Sequence, residues 1–381
     1  MEVRSAKCEA GNRIVKWENL TSHLYFDPVL TSNFPHLVIM TLTETAIMTK
    51  KALLFGAVFS VVLIFAWAGY QYWYYQVYLP NLPVVEEVPD QKYGPLPPIA
   101  LTQNQADSKA FNYKLDTDTG GLPDKIPKLY KVYSIAQLAT DLLALDRAKS
   151  LAGLIGFNRG SQAISATQYK FLDQNGGELS INLDTGNFNM SRPISSESAN
   201  LIESREQFQD PDHISSDFKT YLSGKNLLKD QLRDGRVKVL YDRSQGDPNK
   251  AIVNIWQSDV DETPIVTPTF SEGLVKGMVT NFRDEIKRYV YLDYTFWPID
   301  LQNSSTYPIK TPAEAFTNLQ EGKAMVPLSQ AKTGSFVSIT KVYLAYFLDS
   351  QFIPFLQPVY VFEGPEFVGY VPAIRDEALA K

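Results

Sequence analysis

The chain of 381 residues has one cysteine, Cys8, and three histidines, His23, His36 and His213. Residues 76–381 therefore carry no thiol, which excludes disulfides and zinc–thiolate sites there. His213 is the one imidazole in that stretch, so a Ser-His-Asp relay has a single candidate base and a His-ligated metal lacks partners. No Gly-x-Ser-x-Gly occurs. Positive charge is also in short supply. With 36 Lys and Arg against 42 Asp and Glu, the net charge of −6 gives no electrostatic reason to expect nucleic acid. Over residues 76–381, 30 bases face 37 acids, and such a surface does not seek anionic lipid or polymer by charge.

Apolar material is plentiful: 44% of residues are apolar and 12% aromatic, enough for one or two cored domains and too much for a disordered or collagen-like chain. Ala52–Tyr70 is a run of nineteen residues without a charge, long enough to cross a hydrocarbon core of roughly 30 Å. Lys50 and Lys51 flank it on one side and Tyr70, Tyr72 and Trp73 on the other, a polarity that keeps the amino end in the cytoplasm and puts the carboxyl side outside. A cleaved signal peptide would be shorter and end in small residues, so the run reads as an anchor. Met48-Thr-Lys-Lys has the form of a bacterial start, which makes residues 1–47 an upstream extension, mis-called or disordered, and residues 48–79 the cytoplasmic start and span.

Six prolines between Pro80 and Pro98 fix φ repeatedly and remove backbone donors, so residues 80–110 are expected to form a stiff stalk. Two α+β units are expected beyond it, at 111–200 and 201–381. In the first, strands Phe111–Leu115 and Lys128–Tyr133 precede a helix capped by Ser134, with Ile135, Leu138, Leu142, Leu145 and Leu151 at helical spacing. Ala166–Leu172, Glu178–Leu183 and Asn187–Ser191 then form three antiparallel strands, separated by Asn175-Gly176 and Asp184-Thr-Gly186 turns. In the second, Ser215 or Ser216 caps a helix through Leu222, and strands follow at Arg236–Tyr241, Ala251–Gln257, Leu274–Asn281 and Glu285–Trp297. Thr311-Pro-Ala-Glu314 is a capping box with proline at the first helical position, and Gly322 ends that helix. Strands at Phe336–Leu348, Val359–Phe362 and Phe367–Val371 close the chain. The fold class expected is α+β: one N-terminal transmembrane helix, then two exported units of antiparallel sheet with packed helices, their common order suggesting duplication.

Four sets of residues invite chemistry. Ser216-Asp-Phe-Lys219 and Lys332-Thr-Gly334 imitate two of the three motifs of penicillin-binding enzymes, with Ser216 as nucleophile and Lys219 one turn on to take its proton. The third motif belongs between them, yet Ser198-Ala-Asn200 comes before Ser216. A helix cap and a solvated lysine are the favoured reading of the pair, since Ser-x-x-Lys arises by chance in a chain of this length. His213, in Asp210-Pro-Asp-His213, is expected in a solvated loop. Asp116-Thr-Asp118-Thr-Gly120-Gly121 opens like a calcium loop but has Gly120 at position five and Pro127 at position twelve, which favours a turn. Asp259, Asp261 and Glu262 could supply paired carboxylates for glycoside chemistry, or simply form an acidic turn. Tyr289, Tyr291, Tyr294, Phe296 and Trp297 populate both faces of one strand, and Tyr343, Tyr346, Phe347, Tyr360, Phe362 and Tyr370 the closing sheet. Most of these belong in a core; exposed ones would form a binding face.

Ala313-Glu-Ala-Phe-Thr-Asn-Leu319, Ser338-Ile-Thr-Lys-Val-Tyr-Leu-Ala-Tyr-Phe347 and Gln357-Pro-Val-Tyr-Val-Phe362 resemble the C-terminal domain of YycH/YycI-type proteins, as does Ala251-Ile-Val-Asn-Ile-Trp256 with Thr263-Pro-Ile-Val266. The likeness spans roughly residues 215–375. It implies a non-catalytic extracytoplasmic protein that restrains a membrane-bound WalK-type sensor kinase through contacts. The whole chain, through Leu154-Ile-Gly-Phe157, Thr185-Gly-Asn-Phe188 and Val359-Tyr-Val-Phe-Glu-Gly364, resembles uncharacterised single-span proteins of candidate-phylum bacteria. The expectation is therefore no catalytic residue, no cofactor, no metal, a membrane-protein partner, and a bilayer entered by one span. An exported serine enzyme acting on cell wall and a glycan-binding module are the alternatives.

Overall fold

The computed structural model describes residues 42–78, 88–100, 106–136, 141–193, 208, 210–242 and 249–380. Residues 1–41, Leu138 and the Ser198-Ala-Asn200 motif lie outside the described residues. Helix α1 (Leu42–Trp73) continues as a π-helical turn, Tyr74–Tyr78. Its 32 residues, at 1.5 Å each, reach about 48 Å, and Ala46–Tyr78 is long and apolar enough to cross a membrane. The helix already includes residues 42–47, which were expected to belong to the upstream extension. Lys50 and Lys51 lie in its early turns. At the other end Tyr70, Tyr74 and Tyr78 stack in succession, with centroids 5.9 and 5.5 Å apart, and Tyr70, Tyr72 and Trp73 are exposed.

Residues 86–381 form a separate unit. In chain order it contains β1 (Asn112–Leu115), β2 (Leu129–Ile135), α2 (Ala144–Leu154), β3 (Gly160–Ala163), β4 (Gln168–Leu172), β5 (Glu178–Asn182) and β6 (Phe188–Ser191). Next come α3 (Pro211–Gly224), α4 (Asp230–Arg233), β7 (Val237–Asp242), β8 (Lys250–Ile255), β9 (Ile265–Val266), β10 (Val275–Thr280), α5 (Glu285–Arg288), β11 (Tyr289–Tyr294) and β12 (Ile299–Pro308). The last are α6 (Pro312–Gln320), β13 (Met325–Ser329), β14 (Phe336–Ile339), β15 (Lys341–Phe347), β16 (Phe355–Gly364) and β17 (Phe367–Pro372).

The fold is α+β, with one eight-stranded and one seven-stranded sheet. The eight-stranded sheet runs β3-β4-β5-β6-β11-β10-β8-β7, antiparallel throughout. The seven-stranded sheet runs β12-β2-β16-β15-β9, with β17 also on β16 and β13 on β17. A parallel pair, β1 and β14, stands apart. Both large sheets draw strands from either side of residues 200 and 201, where a boundary between units was expected. β6 hydrogen-bonds β11 across the first, and β2 lies between β12 and β16 in the second. Neighbourhood in sequence does not decide strand pairing when the intervening segment is long enough to return.

Packing follows the period-two pattern of the strands. In β5 and β6, Leu179, Ile181, Phe188 and Met190 point to one face, where Ala148 and Ala152 of α2 and Ile214, Phe218 and Leu222 of α3 cover them. The opposite face carries Ser180, Asn189 and Ser191. Phe218 lies over Gly277, where a Cβ would stand 2.4 Å from its ring, so this strand glycine admits the helix. In the other sheet Tyr307, Tyr360, Phe362 and Phe367 are fully buried with Leu319 of α6. The Thr311 capping box forms as expected: Glu314 N–H donates to Thr311 Oγ1 at 3.3 Å and Thr311 N–H to Glu314 Oε2 at 2.6 Å. Gly322 beyond that helix takes φ +84°.

Three further expectations differ. Ser134 does not cap a helix; it lies within β2, opposite Phe355, because the β-branched and aromatic run Tyr130–Ile135 extends the strand. The second helix begins at Asp210, whose side chain accepts the His213 amide at 2.9 Å with Pro211 at the first position, so neither Ser215 nor Ser216 is the cap. Residues 90–97 of the proline-rich stretch are bound to the unit, with Leu96 wholly buried, where a stalk was expected; residues 80–87 of that stretch lie outside the described residues. Each X-Pro step favours extended backbone, which suits a segment laid along a sheet edge as well as one in solvent.

Candidate functional site

Ser216 stands in the second turn of α3, exposed, and Lys219 lies one turn on. The lysine has turned elsewhere: its Nζ donates to the carbonyls of Arg233 at 2.6 Å and Gly235 at 3.4 Å. A base for Ser216 must direct its nitrogen at the serine hydroxyl, and this nitrogen is bonded to the two carbonyls instead. Lys332–Gly334 lies in the loop before β14, beside Ala110, whose carbonyl accepts the Gly334 amide at 2.6 Å. α3 packs on β7 and β8 of the eight-stranded sheet, so the two fragments of the motif belong to different regions.

His213 sits in the first turn of α3, where a loop was expected, 3.7 Å from Asp217. Asp217 is held by Arg288 at 2.7 Å. Asp116 to Gly121 is a turn closed by Thr117 Oγ1 on Gly121, with Gly120 at φ +70°. Asp261 and Glu262 are consecutive left-handed residues, at φ +48° and +61°, in the tight turn between Val260 and Thr263. The Lys131 ammonium and the Tyr133 hydroxyl, each 2.6 Å away, hold the Asp261 carboxyl below the usual range. A glycosidase acid needs the opposite shift. Among the described residues no three His, Cys, Asp or Glu side chains gather as metal ligands.

The aromatics sort with the core. Tyr289, Tyr294, Trp297, Tyr346, Phe347, Tyr360, Phe362 and Tyr370 are buried. Tyr291, Phe296 and Tyr343 are half-buried. Of the large aromatics in 106–380, Phe336 is the one well exposed, on the short strand β14.

A feature with no sequence motif is a concavity of about 1100 Å³ in this unit. Its walls are one flank of α2, the β5–β6 turn and the loop after α3, with Leu151, Ile181, Leu183, Leu227, Tyr294 and Phe296 forming an apolar floor. α2 buries its alanines, Ala144, Ala148 and Ala152, because the helix lies close to the sheet and only small side chains fit between them. The leucines at its two ends are displaced sideways: Leu143, just before the helix, is 61% and Leu154, its last residue, 45% exposed, both lining the cleft. The rim carries Asp141 bonded to Arg147 at 2.8 Å, and Lys225 bonded to Glu285 at 2.7 Å. Periodicity finds the apolar positions of this helix but not which of them face the sheet.

Arg192, also unmarked in the sequence, fixes the far end of α2. It is buried, donating to the Ile155 carbonyl, to Tyr289 O at 2.9 Å and to Asp173 at 3.3 Å, with its guanidinium 4.7 Å from the Phe157 ring centroid.

No family model matches the chain, and no curated protein matches it. Among solved structures the chain is similar to an uncharacterised protein from Eubacterium rectale ATCC 33656, at 11% identity and a TM-score of 0.38, covering 68% of this chain and 87% of that one.

Proposed function

We propose that this is a non-catalytic, membrane-anchored extracytoplasmic protein that acts by protein–protein contact, as a regulator or accessory subunit of an envelope complex. The observation that carries the reading is the cleft whose leucines, Leu143 and Leu154 at the two ends of α2, stay in solvent while the alanines of that helix are buried. A concave apolar surface of that size suits an apolar segment of another protein. Helix α1 supplies the anchor, and the Lys50–Lys51 flank argues for a cytoplasmic amino end. The YycH/YycI-type resemblance supports the same role, with a membrane-bound kinase as one kind of partner. The hydrogen bonding of Lys219 weighs against the serine-enzyme alternative.

Crosslinking in native membranes followed by mass spectrometry tests the proposal, with a version carrying a foreign span as control. One membrane partner should be enriched with the native protein and lost with Leu143→Glu/Leu154→Glu. Exposed positions of this kind tolerate substitution within about 0.5 kcal/mol, so the variant should fold. Recovery of the protein alone would refute the contact role. A labelled β-lactam adduct abolished by Ser216→Ala would establish the enzyme instead.

A further inference from the structure

The β4–β5 turn, Asp173-Gln-Asn-Gly-Gly177, holds the one Asn-Gly pair in the chain. Its two ends are locked together. Asp173, 3% exposed, accepts the amides of Asn175 at 2.8 Å and Gly177 at 2.6 Å on Oδ1, and its other oxygen takes Arg192 Nε at 3.3 Å. Its own amide donates to Gly177 O at 3.1 Å. Gly177 has no space around it, since a Cβ there would stand 2.4 Å from the carboxylate.

Between those ends lie two free groups. Asn175 and Gly176 are exposed, and neither the Asn175 side chain nor the Gly176 N–H has a hydrogen-bond partner among the described residues. Gly176, at φ +81°, has open space where a Cβ would stand, so nothing shields its nitrogen from the neighbouring side chain. Asn226 is also exposed but lacks these conditions: the next amide, that of the buried Leu227, donates to Leu222 O at 2.8 Å.

We propose that Asn175 is a site of spontaneous deamidation and isomerisation, and that the product loosens the Asp173–Arg192 junction. Hydroxide takes the Gly176 amide proton, and the nitrogen attacks Asn175 Cγ. The new N–Cγ bond displaces the side-chain nitrogen, which takes a proton from water and leaves as ammonia, closing a five-membered succinimide. Water then adds to one of the two ring carbonyls. Breaking the bond from nitrogen to Cγ yields aspartate, and breaking the bond from nitrogen to the main-chain carbonyl yields isoaspartate. One water enters and one ammonia leaves, with no redox change. In isoaspartate the main chain runs through Cβ and Cγ, one atom longer, and the former main-chain carbonyl becomes a carboxylate. The extra atom lies between the two amides that share Asp173 Oδ1, so they cannot both keep their bonds, and a negative charge is added two residues from a buried carboxylate. Arg192, which also ties the Ile155 and Tyr289 carbonyls, then loses a fixed acceptor. The reaction needs no partner and stands apart from the contact role proposed above.

Incubation of the full chain in detergent at mildly alkaline pH, followed by peptide mapping with electron-transfer mass spectrometry, tests the site. Among the asparagines of the described residues, Asn175 should be the first to gain about one dalton, mostly as isoaspartate, while Asn226 stays intact. Asn175→Gln, whose longer side chain closes the ring poorly, should stay unmodified. A gain elsewhere ahead of Asn175 would overturn the site. Thermal unfolding of the incubated protein reads the coupling. Its midpoint should fall by about 3–12 °C relative to Asn175→Gln carried through the same incubation, the loss of one hydrogen bond to a charged group. In Arg192→Met the same incubation should lower the midpoint by less, since the junction is already broken. Should that variant fail to fold, hydrogen exchange in the incubated parent takes its place, and the Gly177 amide should have lost its protection. An unchanged midpoint, or aspartate without isoaspartate, would overturn the coupling to Asp173.

Discussion

Removing Arg192 should destabilise residues 86–381 far more than any surface change, and the size follows from what its guanidinium holds. Both it and the Asp173 carboxylate are about 95% buried as side chains. Its three donors join the end of α2 at Ile155, the β4–β5 turn at Asp173 and strand β11 at Tyr289. Arg192→Met keeps much of the volume and the packing on Phe157 but leaves a buried carboxylate and two carbonyls short of a donor. Breaking one side of a buried ion pair costs about 3–5 kcal/mol. At roughly 2–4 °C per kcal/mol for a domain of this size or slightly smaller, the midpoint should fall by roughly 6–20 °C.

Thermal unfolding of the full chain in detergent, followed by far-UV circular dichroism, is the assay. Asp173 retains the amides of Asn175 at 2.8 Å and Gly177 at 2.6 Å, so Arg192→Met/Asp173→Asn should recover part of the loss and be less harmful than the two single effects added. Arg192→Lys should lose most of what Met loses, since one ammonium cannot span three acceptors in different directions. A fall below about 3 °C for Arg192→Met, or parental stability for Arg192→Lys, would refute the junction as a source of stability.

Burial pushes the hydroxyls of Tyr221 and Tyr289, stacked with centroids 3.8 Å apart, up to about 12. Both are acids whose folded value exceeds the unfolded one, so their stabilising contribution is full below pH 10 and lost as pH rises from 10 to about 12. Absorbance at the phenolate band should show these two ionising only as the fold is lost. Burial also raises the Asp293 carboxyl, with the Lys276 ammonium opposing it, so ionising this acid subtracts stability as pH rises. Asp293→Asn should gain in midpoint relative to the parent between pH 4 and pH 7; a relative loss would contradict that sign. Thr311→Ala removes one half of the capping box of α6 and should cost about 1 kcal/mol in urea unfolding.

Much of the sheet was legible because its signals are local. Turn residues at Asn175-Gly176 and Asp184-Thr-Gly186 delimit β4, β5 and β6, and Thr311 to Glu314 carries its own capping chemistry within four residues. β12 was missed, since Leu301-Gln-Asn-Ser-Ser-Thr306 has neither alternation nor β-branched enrichment; its pairing with β2 makes it a strand. β3, wholly exposed, has no apolar face to betray it. The order of strands was out of reach for a different reason. β6 meets β11 across about a hundred residues, and no turn chemistry specifies that encounter.

The candidate site fared differently from the fold because chemistry-bearing residues draw attention whatever they touch. Ser216 and Lys219 satisfy a spacing, yet the carbonyls of Arg233 and Gly235 decide what the lysine does, and both are set by where α4 ends. The cleft has the reverse problem: leucines at helical spacing look like core, and only the distance from helix to sheet determines whether Ala148 or its larger neighbours fill the gap. Enlarging that gap tests the account directly. Ala148→Leu, at a position 6% exposed, should be resisted by the β-sheet beneath it and lower stability by about 1–3 kcal/mol, whereas Leu154→Ala on the open flank should change it by less than about 0.5. If urea unfolding gave the opposite order, α2 would face the sheet with its leucines and the cleft would be filled by them.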